Sequence, residues 1–195
     1  MLFNCLTFKL KIMKNIEIMD LDTLIQNLQS TDARYKKTVK IFQVVFFIFI
    51  FLYAGLYLVN PDPEITLNDR VAGACYVVAF ALFTFVFRKY YKKYKVINYA
   101  EPVKKVLEDA EKRYRFWQKD IIPTAIGVIL IDAATLLTTL HRFEDQWSFW
   151  QIFIVVQIVY FLAIGTGFTI GYIKWRVVNR PIWLNTKKIL KDLED

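Results

Sequence analysis

Four uncharged stretches alternate with charged segments along this chain: Ile41–Val59, Val71–Phe87, Ile121–Leu140 and Gln146–Ile173. The third holds one carboxylate, Asp132. A bilayer core about 30 Å thick is crossed by roughly 20 apolar residues rising about 1.5 Å each, so each stretch is long enough to span once. The pattern predicts transmembrane helices over 41–59, 71–87, 120–140 and 148–173. The charged segments carry a helical period of their own. Leu21, Leu24, Ile25 and Leu28 fall at i, i+3, i+4 and i+7, with Asp20 or Asp22 near the helix start. Val103, Val106, Leu107, Ala110 and Tyr114 do the same after Pro102, and Ile182, Ile189, Leu190 and Leu193 form a sparser stripe after Pro181. The central helix is expected to continue through Arg115–Lys119 into the third span. Three such stripes in one chain can bury one another. Packing as a small bundle is therefore the expectation, with membrane-surface binding and a partner helix as alternatives.

The chain also repeats itself. Ala33-Arg34-Tyr35-Lys36 precedes the first span as Lys112-Arg113-Tyr114-Arg115 precedes the third. Tyr94-Lys95-Val96-Ile97-Asn98 follows the second span as Trp175-Arg176-Val177-Val178-Asn179 follows the fourth, and Pro102 and Pro181 come next. Lys104–Asp109 then matches Lys187–Asp192, at offsets that stay between 79 and 83 residues. Each copy holds two crossings, so the copies are parallel, related by an axis along the membrane normal. The expected fold is an all-α membrane protein. Its four transmembrane helices form two tandem hairpins, with amphipathic cytoplasmic helices in a head (1–40), a basic connector (88–119) and a tail (174–195).

Charge supplies the orientation. The head, central connector and tail carry 7, 11 and 6 Lys/Arg, whereas 60–70 and 141–145 carry one each, Arg70 and Arg142. By the positive-inside rule, both termini and the central connector face the cytoplasm, and the setting that follows is a bacterial inner membrane. The run Arg88-Lys89-Tyr90-Tyr91-Lys92-Lys93-Tyr94-Lys95 is the densest basic surface. An anionic leaflet explains its position at a membrane exit, and direct nucleic-acid binding is not expected. Trp147, Trp150, Trp117, Trp175, Tyr90 and Tyr91 read as interfacial anchors.

Catalytic signatures are missing from this picture. Cys5 and Cys75 cannot meet under this topology, and no His/Cys cluster has metal-ligand spacing. His141 reads as an interfacial polar residue. No P-loop, GxSxG, HExxH or paired-carboxylate pattern occurs, so neither an enzyme nor a cofactor or metal is expected. Lys9 and Lys11 interrupt the opening apolar stretch, so no cleavable signal is expected there, and Met13 reads as an alternative start.

Two intramembrane features stand out. Thr124, Val128, Asp132, Thr135 and Thr139 share one helical face, and a carboxylate inside a span calls for a partner. Counting inward from Leu140 and from Phe149 puts Asp132 and Gln157 at the same depth, which predicts contact; Tyr160 and Tyr53 are further candidates. The functional reading is proton or cation coupling, and the structural one is a packing hydrogen bond. Gly167 and Gly171 make a GxxxG step after Gly165, expected as an intramolecular helix seam with a homo-oligomer face as the alternative.

Three functional classes follow, a purely architectural membrane protein being the residual one. A small carrier or channel would use Asp132 and the threonines. A membrane accessory protein would use its long basic segments on a cytosolic effector. In size, in its four spans from Ile41 to Ile173 and in basic cytoplasmic segments such as Arg88–Lys95, the chain resembles the four-pass membrane accessory proteins found beside the RNA-guided RNA nuclease in type VI-B CRISPR loci. That resemblance implies modulation of the nuclease in antiviral defence, as a repressor rather than a catalyst. The Arg-x4-His pair of many RNA-cleaving helical domains is not present here.

Overall fold

The computed structural model describes residues 20–116, 121–143 and 145–193, and every regular element among them is helical. They are α1 (Leu21–Tyr53), a π-helical segment (Ala54–Val59), α2 (Leu67–Lys95), α3 (Val103–Tyr114), α4 (Ile121–Phe143), α5 (Phe149–Lys174), a second π-helical segment (Trp175–Asn179) and α6 (Arg180–Asp192). Four helices are long and apolar enough to cross a membrane, namely those within Leu21–Val59, Leu67–Lys95, Ile122–Phe143 and Phe149–Asp192. This is a multi-pass membrane protein. The expectations for Cys5, Met13 and Trp117 lie outside the described residues.

Helix ends follow local chemistry. In the connector before α2, Thr66 and Asp69 cap each other: the Thr66 N–H and hydroxyl donate to Asp69 Oδ2 at 3.1 and 2.7 Å, and the Asp69 N–H donates to Thr66 Oγ1 at 3.3 Å. Arg70 then reaches back to the carbonyls of Leu58 (2.9 Å) and Asn60 (3.3 Å), acceptors that the ending helix leaves without intrahelical donors. Ser148 and Gln151 make a similar box at α5, where the Ser148 N–H and hydroxyl donate to Gln151 Oε1.

Pro181 stands in the first turn of α6, as its position before the tail stripe led one to expect, but no break in the helix precedes it. The helix runs unbroken for 44 residues, Phe149–Asp192. The turn before the proline widens, and Arg180 N–H bonds the carbonyl of Trp175, five residues back. A proline has no N–H and its ring crowds the carbonyl four residues earlier, and a π turn absorbs both defects. In the other copy of the repeat the chain leaves the helix after Lys95, and Pro102 caps α3 from outside.

The residues divide into two compact units. The first takes in Met1–Tyr35, Val96–Gln118 and Phe168–Asp195. Its core joins all three predicted stripes: Leu24 and Leu28 of α1, Leu107, Ala110 and Tyr114 of α3, and Ile182 and Leu190 of α6. Val103 and Leu193 were expected on those stripes, but both are exposed: Val103 is the first residue of α3 and Leu193 the cap just past the end of α6. The continuation of α3 through Arg115–Lys119 does not occur at its start. Arg115 is extended (φ −61°, ψ 138°), and the Trp175 indole takes the Tyr114 carbonyl at 3.0 Å.

The second unit takes in Lys36–Lys95 and Lys119–Gly167. Phe46 of α1 lies 6.0, 5.2 and 5.5 Å from the rings of Phe80, Phe83 and Phe87 of α2, and Phe42 stacks on Phe87 at 5.4 Å. On its other side α2 packs closely on α4. Two glycines permit these approaches. A Cβ at Gly73 would fall 2.3 Å from Tyr57 Cβ, and one at Gly127 would fall 2.8 Å from the Phe83 ring.

Candidate functional site

Polar groups from all four spans line the interior of the second unit. Asp132 of α4 faces α5, where the Gln157 amide nitrogen donates to both carboxylate oxygens at 3.0 and 3.1 Å. One turn further along α5, the Tyr160 hydroxyl donates to the Val128 carbonyl of α4. Thr135 donates back to Ile131 O at 2.7 Å and shares a 3.0 Å hydrogen bond with Tyr76 of α2. Tyr53 of α1 adds its ring, 4.8 Å from that of Tyr76. Thr139 donates to Thr135 O at 2.7 Å. The expected Asp132–Gln157 contact is present, Tyr160 binds a backbone carbonyl, and the two threonines satisfy their hydroxyls largely within α4.

This arrangement holds a carboxylate by a bifurcated amide and three half-buried tyrosines nearby. Interhelical side-chain hydrogen bonds of this kind average about 0.6 kcal/mol and reach about 1.7. Gln157→Leu is therefore expected to lower stability by roughly 1–2 kcal/mol, more than an isolated bond, because it also strands a carboxylate in apolar surroundings. Unfolding in mixed detergent micelles measures this; an unchanged midpoint would remove the contact from the account.

The glycine step does not form the expected seam. Added Cβ atoms at Gly165, Gly167 and Gly171 would meet nothing within 4 Å, so among the described residues no neighbouring helix makes a close approach at these three glycines. The close helix approaches occur at Gly73 and Gly127 instead. Neither lies in a GxxxG pattern, and only their small size within the second and third stretches hinted at them.

Arg88, Lys89, Lys92, Lys93 and Lys95 continue α2 beyond Phe87 as one exposed basic face, while Tyr90, Tyr91 and Tyr94 occupy the half-buried side. Lys40 of α1 stands 5.1 Å above the Tyr91 ring. No family model, curated protein or solved structure matches the chain.

The first unit contains a polar centre that the apolar periodicity of its helices does not announce. Asp32, only 4% exposed, accepts hydrogen bonds from the hydroxyls of Tyr99 and Tyr114 and a 3.2 Å ion pair from Arg113, itself 7% exposed. Nearby, the Tyr35 hydroxyl donates to Asn179 Oδ1 at 2.9 Å. Trp175 belongs to this unit as well. Its ring packs 4.9 Å from Phe116, in addition to the bond to Tyr114, so it holds structure rather than only marking an interface. The signal was in the repeat: Arg34-Tyr35 and Arg113-Tyr114 are the matched pairs, and three of these four side chains lie at or beside the centre.

Proposed function

We propose that this protein is a polytopic membrane accessory protein whose basic cytoplasmic face represses a cytosolic effector. The effector class is the RNA-guided RNA nuclease of type VI-B CRISPR loci. The two tandem hairpins sit in a bacterial inner membrane with both termini inside, and the three amphipathic helices form a cytoplasmic bundle. The observation that carries the reading is the exposed basic face at the end of α2. From Phe87 to Lys95 the helix rises about 12 Å. A headgroup layer is about 5–8 Å deep on each side, so the distal lysines reach past it into water, where a soluble partner can meet them. The partly buried tyrosine side of the same run holds that face in one orientation.

Two measurements test this. With the effector nuclease and a target transcript expressed in the same cells, the full chain should lower target cleavage. A variant carrying Gln at 88, 89, 92, 93 and 95 should insert normally but lose that effect. Retained repression by the variant, or no effect of the wild-type chain, would overturn the proposal. For orientation, Lys93→Cys is expected to react with a membrane-impermeant maleimide only after the cells are opened, and Pro63→Cys without opening.

The polar groups converging on Asp132 favour a second reading, a small carrier or channel. Proteoliposomes should then pass protons or monovalent cations, and Asp132→Asn should stop the flux. A wild-type chain as tight as empty vesicles would eliminate this alternative.

A further inference from the structure

Two adjoining hollows flank Trp147 at the end of the α4–α5 pair, apart from the polar groups around Asp132. One is a slot of about 150 Å³ between Thr139 and Phe143 of α4, Trp147 of the connector, and Ile152, Val155 and Val156 of α5. Its wall is entirely apolar. The other, about 330 Å³, shares Trp147 and Val155 with it but adds two amide side chains, Gln146 and Gln151. An apolar wall of this kind offers water no hydrogen-bond partner and suits a hydrocarbon guest. The guest available here is set by the surroundings. Val155, which lines the slot, is 43% exposed on a helix long and apolar enough to span a membrane. The slot therefore opens toward acyl chains. Trp147 and Trp150, both exposed, and the Ser148–Gln151 cap place this end of the pair at headgroup level, where amphipathic rings and polar caps are favoured.

We propose that this end of the α4–α5 pair binds one phospholipid, with an acyl chain in the slot under Trp147 and the ester and headgroup region against Gln146 and Gln151. A hydrocarbon slot joined to a vestibule that carries two amide side chains has the division of an amphiphile. Trp147 forms a wall of both compartments and so sits where the chain meets the headgroup. The inference needs only that these helices lie in a bilayer; it is independent of any effector.

Native mass spectrometry of the full chain, released from detergent micelles with phosphatidylethanolamine present, tests the proposal. One lipid should survive activation that strips all others. Val156→Phe fills the slot and should weaken retention about tenfold, which corresponds to roughly two buried methylenes lost. A ladder of equally labile lipids in the wild type, or equal retention by Val156→Phe, would overturn it. A second measurement does not depend on that variant folding. In nanodiscs of phospholipid brominated in mid-chain, the emission lost on Trp147→Phe should be more strongly quenched than that lost on Trp150→Phe. Equal quenching of the two would count against a seated chain.

Discussion

Asp32→Ala is expected to unfold the first helical unit. Removing one partner of a buried ion pair costs about 3–5 kcal/mol, because the remaining charge stays in a poorly solvating interior. Here the loss goes further than a pair. Asp32 is the shared acceptor for Arg113, Tyr99 and Tyr114, donors drawn from α3 and the segment before it. Limited proteolysis reads the outcome directly: the wild type should resist cleavage within 103–114, and the variant should be cut there at low protease. A control separates charge from shape. Replacing both members, Asp32→Leu with Arg113→Met, removes the buried charge altogether and should recover much of the protection, since apolar replacements of buried pairs are often neutral or stabilising. Ready cleavage of the wild type in this helix would mean that the three stripes do not bury one another in solution.

Gly73→Ala should be the most damaging single methyl addition in the second unit. The new carbon would lie 2.3 Å from Tyr57 Cβ and 3.0 Å from its Cγ, atoms close to the backbone that cannot swing aside. The helices must separate, and overpacking of this kind costs about 1–3 kcal/mol. Gly127→Ala meets the Phe83 ring edge at 2.8 and 2.9 Å, where a ring can tilt, so its cost should be smaller. Gly167→Ala enters open space and should stay within about 0.5 kcal/mol of the wild type. Thermal unfolding of the three variants in one detergent gives the order. Equal behaviour of Gly73→Ala and Gly167→Ala would contradict the packing described here.

The contrast between these glycines shows how far sequence reading reaches. Spans were legible because lipid imposes a long apolar run that no other constraint mimics. The Asp132–Gln157 contact was legible because depth in a bilayer can be counted in residues from either end. Gly73 and Gly127 were not, because close approach depends on which ring of a neighbouring helix arrives opposite, and that is a tertiary fact. Asp32 was legible in principle. Leu21, Leu24, Leu28, Asp32 and Tyr35 advance by three, four, four and three, so the acid continues the buried stripe of α1. An acid on an inward face needs a cation, and Arg113 sits in register after Leu107 and Ala110 on α3. The π turn before Pro181 was hidden for a different reason. A proline ordinarily ends a helix, and only the surrounding packing decides whether a widened turn carries the helix past it.

The core of the first unit is assembled from three pieces of chain that lie far apart in translation order. Leu28 must wait for Leu107 and then for Ile182 before its face is covered. At elongation speeds of about 5–20 residues per second, that delay is on the order of ten to thirty seconds. Through that interval the newborn head presents incompletely covered leucines, and until Arg113 is made an unneutralised acid as well. Nascent chains stalled before residue 182 should therefore be the species that chaperones and quality-control proteases engage, and release of the carboxyl-terminal segment should end their vulnerability.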